Sequence, residues 1–180
     1  MVRCLVLVLI RCDIGTGKVM ALPGSILLST RLGREIPNSQ DPDQAPGVAA
    51  KLLEDLRRNY PFARMRRAPT GLYNCHGLTF ACRRTGIYDP EDIEKILKDD
   101  GYRQIKPMET QPGDIVMYRD GREISHTAAI IQVDCSNMLA GGQATLVVSK
   151  WGQGGEYIHV VKNDPYKDHE VTFWTERPTK

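Results

Sequence analysis

The sequence lacks any apolar run long enough to cross a membrane and any large excess of charge of one sign. A membrane-spanning helix needs about 20 consecutive apolar residues, whereas the apolar run at residues 2–10 is short and contains Arg3. The 24 basic and 22 acidic residues leave a net charge of +2, so the chain as a whole is not suited to binding a polyanion. We therefore expect neither a membrane nor a nucleic acid as a partner.

Residues 2–10 imitate the apolar part of a signal peptide, but the other parts of a signal are missing. Arg11 follows the run directly, and no cleavage site of small residues comes after it. We interpret the run as a buried strand, which predicts a cytoplasmic protein or one delivered by a non-classical route. In an alternative interpretation the folded domain starts near Met20, and residues 1–19 are a loosely attached extension.

The cysteines lack the paired spacing of a disulfide framework or a zinc site. There are five of them, at positions 4, 12, 75, 82 and 135, and free thiols in a reducing compartment are the simpler interpretation of this odd number. Neither C-x-x-C nor H-x-x-x-H spacing is present among the cysteines and the four histidines. We therefore expect no bound metal, and no organic cofactor is expected either.

Two helices are predicted in the first part of the chain. The length of 180 residues suits a single domain. Apolar residues at helical spacing predict a helix from about Pro46, with arginines in its last turn. A second helix is expected with Asp89 as its cap, Pro90 in its first turn and Gly101 after its end.

Beyond the second helix the pattern changes to short β-rich runs separated by turn residues. Five strands are expected, at residues 114–118, 125–133, 145–149, 157–161 and 170–174. Helices followed by a run of strands predict an α+β fold, with the helices packed on an antiparallel sheet. We assign residues 1–45 to an N-terminal extension or strand region and residues 46–180 to the core of this domain.

Five arginines lie within residues 57–67, interleaved with Tyr60 and Phe62. A solvent-exposed basic loop is the simplest interpretation, because the rest of the chain nearly balances this charge. In the alternative interpretation, this segment grips an acidic partner, and the chain is a non-catalytic binding module.

The clearest chemical feature is Cys75. Apolar residues recur at helical spacing after it, so a short helix is expected to begin at or beside Cys75 and to stop at Gly86, with Asn74 as its cap. A thiol at a helix N-terminus has a lowered pKa, which favours the thiolate. Backbone N–H groups there can receive an oxyanion, with Asn74 or Tyr73 as a further donor. Alternatively, Cys75 is only a small buried apolar side chain.

His126 is the expected base for Cys75. It opens the apolar run at residues 127–133, and a histidine at the start of a strand is held rigidly enough to face a neighbouring helix end. His76 is adjacent to Cys75 in sequence, but on a helix it would point about 100° away. His169 lies in a charged stretch and is expected to face solvent.

His159 is the expected third member of the site. It lies on a later predicted strand, from which it is expected to hydrogen-bond the far nitrogen of His126 and hold its tautomer. The competing residues for this orienting role are Glu156, Asn163 and Asp164.

Three segments then follow one another in a recognisable order. Residues 74–78 read Asn-Cys-His-Gly-Leu, residues 111–118 read Gln-Pro-Gly-Asp-Ile-Val-Met-Tyr, and residues 125–130 read Ser-His-Thr-Ala-Ala-Ile. These resemble the NlpC/P60 superfamily of papain-like cysteine peptidases and the related CHAP amidases. There the segments are Asp-Cys-Ser-Gly before an apolar helix, a Pro-Gly-Asp strand, and a Ser-His strand that carries the base. With residues 148–152 (Val-Ser-Lys-Trp-Gly) and His159, the resemblance covers residues 70–161.

The resemblance implies a papain-like α+β fold, in which a catalytic core at residues 46–180 packs the nucleophile's helix on the sheet that carries the base. It also implies a hydrolase, a cysteine peptidase or amidase that cleaves an amide or isopeptide bond through an acyl-enzyme. Its catalytic residues would be Cys75, His126 and His159. A peptide or peptidoglycan fragment is the implied substrate, with a protein substrate as the rival. Deamidase or acyltransferase chemistry on the same scaffold is a further alternative.

The sequence departs from this superfamily at two points. His76 replaces the small serine that usually follows the nucleophile, and the stretch between His126 and His159 is longer than usual. With the usual spacing, Ser149 or Lys150 would take the place of the third residue. The third residue therefore stays open among His159, these two residues and Glu156.

Overall fold

The structure is a computed structural model that describes residues 24–134 and 144–178. These residues form three α-helices, α1 (Pro46–Asn59), α2 (Cys75–Phe80) and α3 (Pro90–Asp99). The seven strands are β1 (Arg64–Arg67), β2 (Arg103–Ile105), β3 (Ile115–Asp120), β4 (Glu123–Asp134), β5 (Ala144–Lys150), β6 (Glu156–Val160) and β7 (Glu170–Thr175). None of the helices in these ranges is long and apolar enough to cross a membrane. The expected strand at residues 2–10 lies outside the described residues.

The seven strands form one antiparallel sheet in the order β1-β6-β5-β4-β3-β7-β2. Together with the helices, this confirms the predicted α+β class, and the five expected strands correspond to β3–β7 within two residues at each end. β4 lies in the middle of the sheet, where Tyr118 of β3 is opposite His126 and Ser149 of β5 is opposite Ala128. The edge strands β1 and β2 are not predicted by the sequence pattern.

Helices α1 and α3 start and end where their sequence signals indicate. Pro46 is the first residue of α1, where its fixed φ fits the first turn. At α3 the Asp89 carboxylate accepts a hydrogen bond from the Glu91 backbone N–H at 2.8 Å and so caps the helix. Ile93 and Leu97 of α3 are buried in the core. Both predicted helices are therefore confirmed.

The sheet is covered on both faces, as the alternation along β3 makes clear. Ile115 and Met117 belong to a cluster that includes the buried residues of α3. Val116 and Tyr118 point the other way, into a second cluster that includes Tyr166 from the segment between β6 and β7. The sheet therefore lies between a helical layer and a layer made by that connecting segment.

Helix α2 begins at Cys75 as expected but ends at Phe80, well before the predicted end at Gly86. The Gly77 carbonyl accepts hydrogen bonds from the N–H groups of both Ala81 and Arg83. Cys82 and Arg83 have positive φ values of 50° and 66°, which ends the helix. The chain then turns back, and residues 85–87 pack beside the first turn of α2.

Glycine is required at position 77 by this close return of the chain. A Cβ atom added there would lie 1.8 Å from the Thr85 carbonyl oxygen and 2.9 Å from its carbon. Both are backbone atoms, so a side chain at position 77 forces the segment at residues 85–87 away from α2. The glycine of the Asn-Cys-His-Gly motif thus has a packing role.

We expect Gly77→Ala to lower the free energy of unfolding by about 1–3 kcal/mol, the usual cost of overpacking. The control is Gly47→Ala in α1, where an added Cβ has no neighbour within 4 Å. That change should leave stability unaltered or raise it by about 0.4–1 kcal/mol, because it reduces the entropy of the unfolded chain. Urea unfolding of the three proteins measures both effects, and equal stability of Gly77→Ala and wild type would contradict the packing role.

Candidate active site

Asn74 sets the position of Cys75 at the start of α2. Its side-chain oxygen accepts a hydrogen bond from the Gly77 N–H at 2.9 Å, which caps the helix. The same side chain bonds both backbone groups of Ile87, accepting from its N–H at 3.2 Å and donating to its carbonyl at 2.6 Å. Ile87 is fully buried in the core. The predicted cap is therefore confirmed, and it ties the thiol-bearing turn to the core.

Two imidazoles lie next to the Cys75 thiol, those of His76 and His126. Burial raises the pKa of Cys75, but the charges of both histidines and their hydrogen-bonding interactions with the sulfur outweigh burial. The pKa of Cys75 is therefore well below its ordinary value, and a thiolate is favoured near neutral pH. The structure thus brings together Cys75 and His126, as predicted from the sequence.

His76 was expected to point away from Cys75, and this expectation is wrong. Its side chain is buried, with Nδ1 at 3.0 Å from the Thr127 hydroxyl of β4. Burial lowers the pKa of His76, but the Cys75 thiolate more than offsets this, so the net shift of its pKa is upward. Adjacent side chains at a helix start diverge at Cβ, yet an imidazole is long enough to reach back to the sulfur of its neighbour.

His126 lies on β4, and two aromatic rings pack against its imidazole. Its side chain is fully buried and stacks on Tyr166, with 3.8 Å between ring centroids and 12° between planes. Tyr118 meets it edge-on at 5.2 Å. Neither ring nitrogen makes a hydrogen bond of regular geometry within the described chain. Thiol and imidazole are thus close, but without the alignment of a regular hydrogen bond.

His159 is buried near His126 but does not form the expected hydrogen bond with it. Its Nε2 lies 2.8 Å from the Ser149 hydroxyl and its Nδ1 lies 3.0 Å from the Val160 carbonyl. The Asp164 carboxylate is 3.4 Å from Nδ1. Burial lowers the pKa of His159 to about 4, in spite of the carbonyl and carboxylate beside it. His159 is therefore a neutral neighbour of His126 at ordinary pH.

The other candidates for the third residue also have partners other than His126. Glu156 accepts hydrogen bonds from the Tyr73 hydroxyl and from Arg83, whose Nε lies 2.6 Å away. Asp164 accepts from the Tyr118 hydroxyl at 2.9 Å. Lys150 donates to the Gly152 carbonyl. No candidate residue in the described chain orients His126 through a hydrogen bond. The orientation of its ring is set by stacking on Tyr166 instead.

The side chains expected to assist an oxyanion already donate elsewhere. The Tyr73 hydroxyl donates to Glu156, and the Asn74 amide donates to the Ile87 carbonyl. The single hydroxyl proton of Tyr73 is therefore engaged, whereas the Asn74 amide has a second N–H hydrogen besides the one that it donates to Ile87. The backbone N–H groups at the start of α2 are the donors that lie nearest to Cys75 in the chain.

An open cavity of about 310 Å³ lies between the first turns of α1 and residues 69–70. Asp43 and Gln153 contribute its polar lining, and Pro46, Ala49 and Leu53 contribute apolar lining. None of the proposed catalytic residues lines it. Elsewhere in residues 24–134 and 144–178, no group of three or more histidine, cysteine or acidic side chains is arranged to hold a metal ion.

The neutral state of His159 makes stability depend on pH. Its pKa is about 4 in the folded protein and about 6.5 when unfolded. Between these values the unfolded chain binds the extra proton, so stability falls as the pH is lowered from about 6.5 to about 4. We expect this loss to be on the order of 1–3 kcal/mol and to be smaller in His159→Gln. Urea unfolding at several pH values measures it, and His169→Gln controls for the loss of one imidazole. Parallel pH profiles for wild type and His159→Gln would rule the effect out.

Comparison of the chain with models of known protein families, with curated proteins and with solved structures finds no match in any of the three. No relative therefore supplies a function or a set of site residues. The resemblance to papain-like peptidases is confined to short motifs. A function for this site therefore rests on the geometry and chemistry of the residues around Cys75.

Proposed function

We propose that this protein is a cysteine hydrolase that cleaves an amide or isopeptide bond, with Cys75 as nucleophile and His126 as general base. The observation that carries this proposal is the Cys75 thiol, which starts a helix beside two imidazoles that lower its pKa. A cysteine that only fills space in a core has a raised pKa and no such neighbours. An activated thiol–imidazole pair is the minimum requirement for thiol acyl transfer.

In the proposed reaction His126 takes the proton of Cys75, and the thiolate attacks the substrate carbonyl carbon. The new C–S bond pushes the carbonyl π electrons onto oxygen, where backbone N–H groups at the start of α2 stabilise the negative charge. Collapse of this intermediate breaks the C–N bond, and the amine leaves with a proton from His126. His126 then removes a proton from water, which attacks the thioester and releases the acid and the Cys75 thiolate.

The roles of the two histidines are distinct in this proposal. His76 follows Cys75 directly and bonds Thr127, so it stays beside the thiolate as a stabilising charge. His126 lies on the sheet, and both of its nitrogens are without hydrogen bonds of regular geometry to described residues. A base that must accept and return a proton needs such an uncommitted nitrogen, which favours His126 for proton transfer. His159, neutral and bonded to Ser149, supports the packing around His126.

The α+β sheet with a nucleophile-bearing helix packed on β4 and β5 is compatible with a papain-like fold of the NlpC/P60 type, which we propose for the core at residues 46–180. On that basis the substrate is a peptide or a peptidoglycan fragment, and the activity is that of a peptidase or amidase. A protein substrate would be cleaved through the same acyl-enzyme. A deamidase would differ in releasing ammonia, and an acyltransferase would differ in resolving the acyl-enzyme with a nucleophile other than water.

The rival proposal is a non-catalytic binding module that uses the arginines at residues 57–67. The exposure of every residue of β1 favours this function. Against it, Arg66 and Arg67 each lie 3.7 Å from the buried Glu156 carboxylate, so part of their charge has a partner inside the protein. Partner binding that weakens steeply with salt and is unaffected by Cys75→Ala would support the binding module.

The first test is alkylation by iodoacetamide, followed by intact mass. We expect one fast addition in the wild type and none at that rate in Cys75→Ala. At about pH 6, His76→Ala and His126→Ala should each slow the addition, because each raises the pKa of Cys75; the slowing approaches tenfold per unit only once that pKa exceeds the pH. Slow alkylation of several cysteines, unchanged by His126→Ala, would contradict the hydrolase and favour the binding module.

The pH dependence of the same reaction is a second, independent test. A thiol with an ordinary pKa near 8.5 loses about 30-fold in rate between pH 7.5 and pH 6, because its thiolate fraction falls. The lowered pKa of Cys75 predicts a smaller loss over the same interval, because more of the thiol is already ionised at pH 6. A loss as large as that of free cysteine, measured in parallel, would show that the thiol is not activated.

A further inference from the structure

Lys150 is a buried lysine whose position has no obvious structural purpose. It is the last residue of β5, and its side chain is fully buried. The ammonium donates a hydrogen bond to the Gly152 carbonyl and lies 5.5 Å from the centre of the Tyr73 ring. Tyr73 precedes Cys75 by two residues, and β5 packs against α2. A positive charge is therefore enclosed next to the turn that carries the thiol.

This ammonium has no ion-pair partner within 4.0 Å among residues 24–134 and 144–178. Its cross-strand neighbour Glu156 is the nearest obvious candidate. However, the Glu156 carboxylate is already bound by Arg83 and by the Tyr73 hydroxyl, with two more arginines at 3.7 Å. Burying a charged amine costs several kcal/mol unless another charge compensates it. Lys150 therefore lacks a carboxylate in direct contact to compensate its charge, and more distant anions have to do so.

Three negative groups act on Lys150 from the elements around it. These are Glu156 from β6, Cys75 from α2 and Asp43 from the segment before α1. Burial lowers the pKa of Lys150 to about 8, and the three anions oppose that decrease. Glu156 is shared with arginines, and the Asp43 carboxylate is bound by the Thr70 hydroxyl and the Gly71 N–H. Of the three groups, Cys75 is the one whose negative charge near neutral pH depends on surroundings that lower its pKa.

We infer that Lys150 is a positioning residue for the proposed reaction, a buried cation beneath Tyr73 whose field holds Cys75 as the thiolate. This inference rests on the proposed hydrolase, because it assigns a role in the same site. Lys150 contacts neither the sulfur nor the substrate, and it acts only through charge. His126 gives up and regains a proton during turnover, whereas Lys150 keeps its charge below about pH 8. It therefore stabilises the thiolate at every stage at which the thiolate exists.

The test is the pH profile of Cys75 alkylation by iodoacetamide in Lys150→Met and Lys150→Arg. Met has a similar volume without charge, so the apparent pKa of Cys75 should rise by about 0.5–1 unit, less than for a charge in direct contact. Arg keeps the charge and should keep the wild-type profile. Lys51→Met, which removes an exposed lysine from α1, controls for net charge and should also match the wild type.

The reverse measurement does not depend on the folding of Lys150→Met, because it follows Lys150 itself in a Cys75 variant. Coupling between two titrating groups is reciprocal, so removing the thiolate in Cys75→Ala must lower the pKa of Lys150 from about 8 by the same amount. NMR of ¹³C-labelled lysine follows this titration. The Lys150 signal is assigned by its absence in Lys150→Arg.

The outcomes separate the two proposals. If wild-type Cys75 is not the residue that iodoacetamide labels fast, the hydrolase proposal fails, and the role of Lys150 fails with it. If Cys75 is activated but its pH profile in Lys150→Met superimposes on the wild type, only the role of Lys150 is overturned. An unchanged Lys150 titration in Cys75→Ala overturns it equally. Shifts in both experiments, with the Lys150→Arg profile unchanged, support it.

Discussion

The Asn74 side chain is the contact on which the geometry of the candidate site depends. It caps α2 through Gly77 and at the same time bonds both backbone groups of Ile87. Because Ile87 is part of the core that includes α3, the first turn of α2 is held at a set distance from that core. The return of the chain past Gly77 is possible only without a side chain there. The Asn74 amide and the absence of a Cβ atom at Gly77 thus fix the position of the Cys75 thiol.

Much of the fold follows from local sequence signals, and the exceptions have physical causes. Pro46, Asp89 and the apolar alternation of β3–β7 predict their elements well, because each signal is contained within a few residues. β1 is missed because its four residues are all exposed and nearly all arginine, so no buried face marks it. The early end of α2 depends on the left-handed turn after Phe80 and on contacts with residues 85–87, which no helical spacing reveals.

The candidate site likewise has residues that the sequence predicts and contacts that it does not. Cys75, its cap Asn74 and the neighbouring His126 could be inferred from motif order and helix-end chemistry. The role of His76 could not, because the angle between adjacent helical residues says little about where a long side chain reaches. The partners of Glu156 and His159 could not be inferred either. The contact between Tyr73 and Glu156 joins residues 83 positions apart, and such a pair has no signature in a single sequence.

The buried charges explain why a thiolate is the natural state of this site. Glu156 and Asp164 are the fully buried carboxylates near the site. Glu156 accepts hydrogen bonds from Arg83 and Tyr73. Asp164 accepts one from Tyr118. Neither carboxylate is in direct contact with the imidazoles beside Cys75 or with the ammonium of Lys150. A cluster of buried cationic groups without a free carboxylate favours ionisation of the remaining acidic group. That group is the Cys75 thiol, so the polar network that stabilises the fold also favours the thiolate of the proposed nucleophile.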